Sequence, residues 1–154
     1  KLNPGHAMLQ NNLGYLLLEK GGDVDEAAAL IQASVQQDPK NGSVMDSWGW
    51  ALFKQGNYKE AEEVLSKAAE LTPFSPEVRR HLGETLLKLG RPEDALEQWE
   101  RAMAYIFPER KALEVRIREL RVQVAKARAA ESGDDLPPAP AEEPSEDENG
   151  EDPE

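Results

Sequence analysis

The sequence predicts an all-α solenoid, an array of helix-turn-helix units stacked side by side. Three observations predict it: an internal repeat of 34 residues, glycines and prolines at fixed places in each copy, and apolar residues at three-and-four spacing between them.

Shifting the chain by 34 residues superposes Gly22, Gly56 and Gly90, then Ala27, Ala61 and Ala95. It also superposes Ile31, Leu65 and Trp99, then Ser34, Ala68 and Ala102. Pro39 matches Pro73, Gly49 matches Gly83, and the third proline comes one residue late at Pro108. Gly14 and Gly49 are 35 apart, so the first copy carries one extra residue before Gly22.

The spacing predicts helices over 7–20 and 24–37 in the first copy. In the second, Met45, Trp48, Gly49 and Leu52 share one face of a helix over 43–55, with Ser43 and Asp46 suited to its start. Gly56-Asn57 breaks the pattern. A helix over 58–71 follows, with Ala61, Val64, Leu65 and Ala68 inward and Pro73 past its end. The third copy predicts helices over 76–89 and 92–105. A mid-helix glycine costs about 1 kcal/mol against alanine, so Gly49 implies close approach of the partner helix. Gly56, past a helix end, implies a left-handed turn. Trp48 falls on the core face. Trp50, about 200° further round the helix, is expected to face away from that core.

After Pro108 the pattern changes. Leu113, Ile117, Leu120, Val124 and Ala127 make one apolar stripe, which predicts a capping helix over 110–131 with its basic side in water. Arg110/Glu114 and Glu114/Arg118 are spaced to pair along it. A nucleic-acid patch on this basic side is the alternative, weakened by the lack of interleaved aromatics. Residues 133–154 hold ten acids and no base, whereas residues 1–132 are nearly balanced. With one large apolar residue and five prolines, the stretch from Ser132 to Glu154 predicts a disordered acidic tail. Such a tail would serve as a solubilising bristle or, alternatively, as an autoinhibitory occupant of a basic site.

These residues resemble the tetratricopeptide repeat. The pattern reads Gln10, Leu13-Gly14, Leu17, Ala27, Ile31, Ser34, Pro39 in the first copy and Met45, Trp48-Gly49, Leu52, Ala61, Leu65, Ala68, Pro73 in the second. The third reads Arg79, Leu82-Gly83, Leu86, Ala95, Trp99, Ala102, Pro108. The resemblance implies a right-handed solenoid with repeats over 7–41, 42–75 and 76–109, followed by the cap. Residues 1–6, with "KLNP", resemble the end of a preceding repeat, so Lys1 is expected to lie inside a longer array whose open first face could self-associate. The stretches "NNLGYLLLEKG" and "DSWGWALFKQG" further resemble long bacterial adaptor and lipoprotein repeat proteins. That resemblance implies the cell envelope, with the cytoplasm as alternative.

The function implied is binding of another protein or a peptide segment along the concave side, lined by the first helix of each pair. The residues expected there are Met8, Asn11, Tyr15, Leu18 and Glu19, then Ser43, Asp46, Trp50, Phe53 and Lys54, then Glu77, Arg80, Glu84, Leu87 and Lys88. Tyr15, Trp50 and Phe53 form a candidate aromatic strip; packing between repeats is the alternative for Trp50 and Phe53. Lys54, Arg80 and Lys88 are candidate contacts for acidic groups. Similar repeats that hold the tails of heat-shock chaperones use Lys and Asn, then Asn, then Lys and Arg. The matching positions here are Asn11, Tyr15, Ser47, Glu77 and His81, so that clamp is absent.

No enzyme is predicted. There is no cysteine, no phosphate-binding glycine loop and no metal-ligand spacing, so no cofactor or metal site is expected. His81 reads as a packing or hydrogen-bonding residue rather than a ligand. Asn41-Gly42-Ser43 matches a glycosylation acceptor but reads as a turn and helix start. No apolar run approaches the roughly 18 residues that a membrane span needs.

Overall fold

The computed structural model describes residues 4–132, which form seven helices. They are α1 (Pro4–Glu19), α2 (Val24–Gln37), α3 (Gly42–Lys54), α4 (Tyr58–Leu71), α5 (Pro76–Lys88), α6 (Pro92–Ala102) and α7 (Arg110–Ser132). The segments expected as an acidic tail and the first residues of a preceding repeat lie outside the described residues.

The α1–α2, α3–α4 and α5–α6 turns are built alike. Each leaves its first helix through a glycine of positive φ: Gly21 at 71°, Gly56 at 83° and Gly90 at 74°. The following amide reaches back five residues, Gly22 to the Leu17 carbonyl at 2.8 Å, and Asn57 to Leu52 and Arg91 to Leu86 at 2.9 Å each. These bonds satisfy carbonyls that a helix end leaves open. The turn glycine of the first copy is therefore Gly21, not Gly22 as the 34-residue shift implied. Gly22 makes the amide bond that Asn57 and Arg91 make in the later copies, while Asp23 takes their place at the start of the second helix, so the extra residue lies within Gly22-Asp23. The Asp23 carboxylate caps α2, accepting from the Asp25 and Glu26 amides at 2.9 Å each. Asn57 and Arg91 make no such cap.

The start of α3 also differs from expectation. Its cap is Asn41, whose side chain accepts from the Ser43 and Val44 amides at 3.1 and 3.3 Å, rather than Ser43 or Asp46. Ser75 caps α5 ahead of Pro76, whose missing N–H costs nothing in the first turn. α1 starts three residues earlier than expected, and α6 stops at Ala102 rather than 105. There the Ala104 and Tyr105 amides bond carbonyls three residues back, which tightens the last turn and ends the helix.

Each pair closes over the glycine of its first helix. A Cβ on Gly14 would lie 2.6 Å from Ile31 Cγ1, one on Gly49 2.5 Å from Leu65 Cγ, and one on Gly83 2.2 Å from Trp99 Nε1. The bulky residue of the second helix thus enters the hollow left by the glycine. Leu18, Ile31, Trp50 and Ala51 belong to a core joining α1 to α3; Leu52, Leu65, Leu82, Trp99 and Ile117 belong to one running from α3 to α7. Trp48 and Phe53 pack against both and link them.

α7 buries Leu113, Ile117, Leu120 and Val124, while Ala127 is exposed, so the stripe ends a turn early. Three arginines of its basic side pair with neighbouring helices while staying partly exposed. Arg116 pairs with Glu84, with one contact at 2.8 Å, and its guanidinium lies 4.5 Å from the Trp99 ring centroid. Arg121 pairs with Glu100 at 2.9 Å and Arg128 with Glu93 at 3.5 Å. Among the described residues the expected pairs Arg110/Glu114 and Glu114/Arg118 do not form; Arg110 instead donates to the Met103 carbonyl at 3.3 Å.

Candidate functional site

α1, α3 and α5 are the first helices of their pairs and lie in sequence, with α3 touching both of the others. All the residues expected to line the groove lie on these three helices. On α3, Trp50 is 6% exposed, so the expectation that it faces away from the core is corrected. The helical wheel placed it opposite the α4 contact correctly, but α3 sits mid-stack and is covered there too. The Trp50 ring stacks on Phe53 with centroids 4.6 Å apart at 7°, and on His81 of α5 at 4.1 Å and 14°. Its indole N–H donates to Glu19 of α1 at 3.1 Å. One tryptophan therefore ties three helices together, and with half-buried Phe53 it packs between repeats. Lys54 is exposed, and its Nζ lies 4.7 Å from the Trp50 ring centroid, within cation–π range.

His81 is fully buried. Its Nδ1 lies 2.9 Å from Asp46 Oδ1 and its Nε2 3.1 Å from the Arg80 guanidinium. A guanidinium can only donate, so Nε2 accepts and the ring proton sits on Nδ1, donated to Asp46. Arg80 is half-buried, and its carbonyl takes the Trp99 indole N–H at 3.2 Å.

Tyr15 bridges across α3. Its hydroxyl donates to Glu77 Oε1 at 2.7 Å, joining α1 to α5 over a separation of 62 residues. Burial foremost, and then this bond, push the Tyr15 phenol far above its ordinary range. Glu84 is committed to the cap through Arg116. That hydrogen bond raises the guanidinium above its usual value against the opposing effect of burial. Lys88 is exposed near the end of α5. Of the wider set, Asn11, Leu18 and Asp46 are buried.

A polar cleft of about 180 Å³ opens between the middle of α1 and the N-terminal halves of α3 and α5, lined by residues that include Asn11, Tyr15, Asp46, Ser47 and Glu77. A larger hollow of about 390 Å³ lies between α6 and α7. It follows from the way the cap rests on α6, and its walls include the paired Glu100 and Arg121. Among the described residues no group of three or more His, Cys, Asp or Glu could hold a metal ion, and no helix is long and apolar enough to cross a membrane.

Asp46–His81 and Tyr15–Glu77 were not legible as pairs in the sequence. A signal did exist for the first: relative to Gly49 and Gly83, Asp46 and His81 occupy neighbouring positions of successive first helices, and stacking brings such positions together.

A family model described as tetratricopeptide repeat matches residues 1–42 and 47–111. The TPR repeat-containing protein PA4667 of Pseudomonas aeruginosa is 38% identical over 81 residues, 53% of this chain and 14% of that protein. The chain thus spans about a seventh of that relative. Among solved structures, the first TPR of Spaghetti (RPAP3) bound to an HSP90 peptide superposes with a TM-score of 0.71 at 19% identity, over 80% of this chain and 99% of that one. The translocator chaperone SycD of Yersinia enterocolitica superposes with a TM-score of 0.71 at 17% identity, over 80% of this chain and 89% of that one.

Proposed function

Since the chain belongs to the tetratricopeptide repeat family, we propose that it is an adaptor or scaffold module that holds a segment of another protein on the concave face of α1, α3 and α5. The observation that carries this reading is the polar cleft at which side chains of three successive first helices converge. Around it, Tyr15 and Arg80 are half-buried, and Lys54 and Lys88 stand exposed to meet acidic groups of the same segment. Trp50 and Phe53 act beneath this surface, holding its floor. The clamp residues for chaperone tails are missing, so the HSP90 peptide of the RPAP3 structure is not proposed as the ligand. The bacterial relative supports a bacterial partner, sought in envelope and cytosolic extracts alike.

A pull-down from such extracts with wild type and with Lys54→Glu/Lys88→Glu tests the reading. Both substituted residues are exposed, so circular dichroism should show an unchanged fold. A partner retained by the wild type and lost by the variant is expected; identical retrieval by both would refute binding on this face.

A second reading, that the chain stacks on another helix pair as part of an array, is favoured by one observation. Leu9, Leu13 and Leu16 form a stripe on α1, exposed at 68, 51 and 52%. The equivalent positions in the later first helices are Val44, Trp48 and Ala51, then Val78, Leu82 and Thr85. All are buried against the preceding pair except half-buried Trp48. Self-association through α1 would cover this stripe in the place of a further pair. Sedimentation velocity is expected to show concentration-dependent association that Leu13→Glu/Leu16→Glu abolishes; a monomer at every concentration would exclude it.

A further inference from the structure

The cleft between α1, α3 and α5 has a chemical preference that its position on the face does not by itself imply. Two of its lining residues are carboxylates, Asp46 and Glu77, and no Lys, Arg or His lines it. Each carboxylate is held from the side. Asp46 accepts the His81 ring N–H at 2.9 Å, and Glu77 accepts the Tyr15 hydroxyl through Oε1 at 2.7 Å. Those bonds fix both groups and leave Glu77 Oε2 with its lone pairs. A third acceptor is present. Asn11, only 5% exposed, lines the same cleft, and its buried carboxamide oxygen has no hydrogen-bond partner. A buried amide oxygen without a partner costs on the order of 1–3 kcal/mol, a cost that a donor entering the cleft beside Asn11 would relieve.

We infer that this cleft takes the cationic head of a Lys or Arg side chain carried by the partner segment, the inference resting on the proposed use of this face. An ammonium or guanidinium offers only donors, which matches a wall rich in acceptors and bearing two negative charges. A metal ion is the poorer fit, because no third His, Cys, Asp or Glu stands close enough to complete a site among the described residues. An acidic segment would meet Asp46 and Glu77 head-on. The partner's acidic groups, if it has them, belong instead near Lys54 and Lys88. The face thus reads a basic residue at the α1 to α5 crossing, with acidic residues toward the C-terminal ends of α3 and α5.

The test is a titration of the isotope-labelled chain with the capped tripeptide Ac-Gly-Arg-Gly-NH2, followed by amide chemical shifts, against Ac-Gly-Glu-Gly-NH2 as control. Saturable shifts at Asn11, Ser47 and Glu77 are expected with the arginine peptide alone. Glu77→Gln should weaken that binding roughly two- to fivefold, the loss expected when one partner of a partly exposed charge pair is removed. Ser43→Asp adds a carboxylate at the exposed rim of the cleft, where the start of α3 favours it, and should tighten binding. Equal shifts with the glutamate peptide, indifference to both substitutions, or no shift at tens of millimolar would overturn the assignment. Should a natural partner still be captured through Lys54 and Lys88 while the arginine peptide leaves these amides unmoved, the cation site alone fails and the binding face stands.

Discussion

Trp50 shows how far a residue's role depends on what lies beyond its own helix. Its position in the sequence marks it as an aromatic anchor on an open groove. In the fold it is sandwiched between Phe53 and His81 and hydrogen-bonded to Glu19, so nearly all of its surface is already used. Replacing a buried tryptophan by alanine removes transfer energy and leaves a cavity, costing about 3–5 kcal/mol. Trp50→Ala should therefore lower the urea midpoint by that equivalent, and any lost partner binding would be secondary to instability. A variant that melts like the wild type would show that the stack contributes little. The better residues for separating binding from folding are the exposed Lys54 and Lys88.

At the scale of the element, the repeat is a device for bringing two helices close. Gly14, Gly49 and Gly83 each clear a hollow that Ile31, Leu65 or Trp99 fills, so each glycine is matched by one bulky residue of its partner helix. Gly83→Ala sets two effects against each other. Helix propensity favours alanine by about 1 kcal/mol, and overpacking opposes it by about 1–3 kcal/mol. Overpacking should win, because the intruding methyl would sit 2.2 Å from Trp99 Nε1, which is also tied to the Arg80 carbonyl at 3.2 Å. The indole cannot retreat without breaking that bond. A thermal melt of Gly83→Ala is expected to shift down; an upward shift would mean that α6 slides at little cost. The two-helix units and these glycines could be read from the repeat, whereas the start of α1 and the end of α6 could not. The cap Asp23 could not, since a one-residue insertion in a turn does not announce which residue is the added one.

Across the whole molecule, long-range polar links span the stack. Tyr15–Glu77 joins the first pair to the third, and Arg116–Glu84 fastens α7 to α5. Partly exposed pairs of this kind are worth at most about 1 kcal/mol, so they fix the relative seating of the helices more than they hold the fold. Tyr15 also gives the molecule an alkaline limit. Its phenol is raised in the folded state above the value near 10 of an unfolded tyrosine. The stability it contributes is fully present below about pH 10 and is lost as pH rises toward the folded value, because the unfolded chain releases the proton first. Melting temperature should fall more steeply with pH above that point in the wild type than in Tyr15→Phe. Parallel curves would show that the Tyr15–Glu77 bridge is open in solution.

The sequence by itself determined the repeat, the helix pairs, the placement of glycine at each close approach and at the second and third turns, and the apolar side of α7. These follow from local periodicity and backbone chemistry, both complete within about 34 residues. Only the tertiary structure decided that Trp50 is interior, that Asp46 holds His81, that Tyr15 reaches Glu77, and that the arginines of α7 serve neighbouring helices. A helical wheel divides one helix into an inner and an outer face, whereas a helix in the middle of a stack is covered on several sides. Which side chains then meet across 35 or 62 residues depends on how far each pair is displaced along the next, a quantity that no single period in the chain contains.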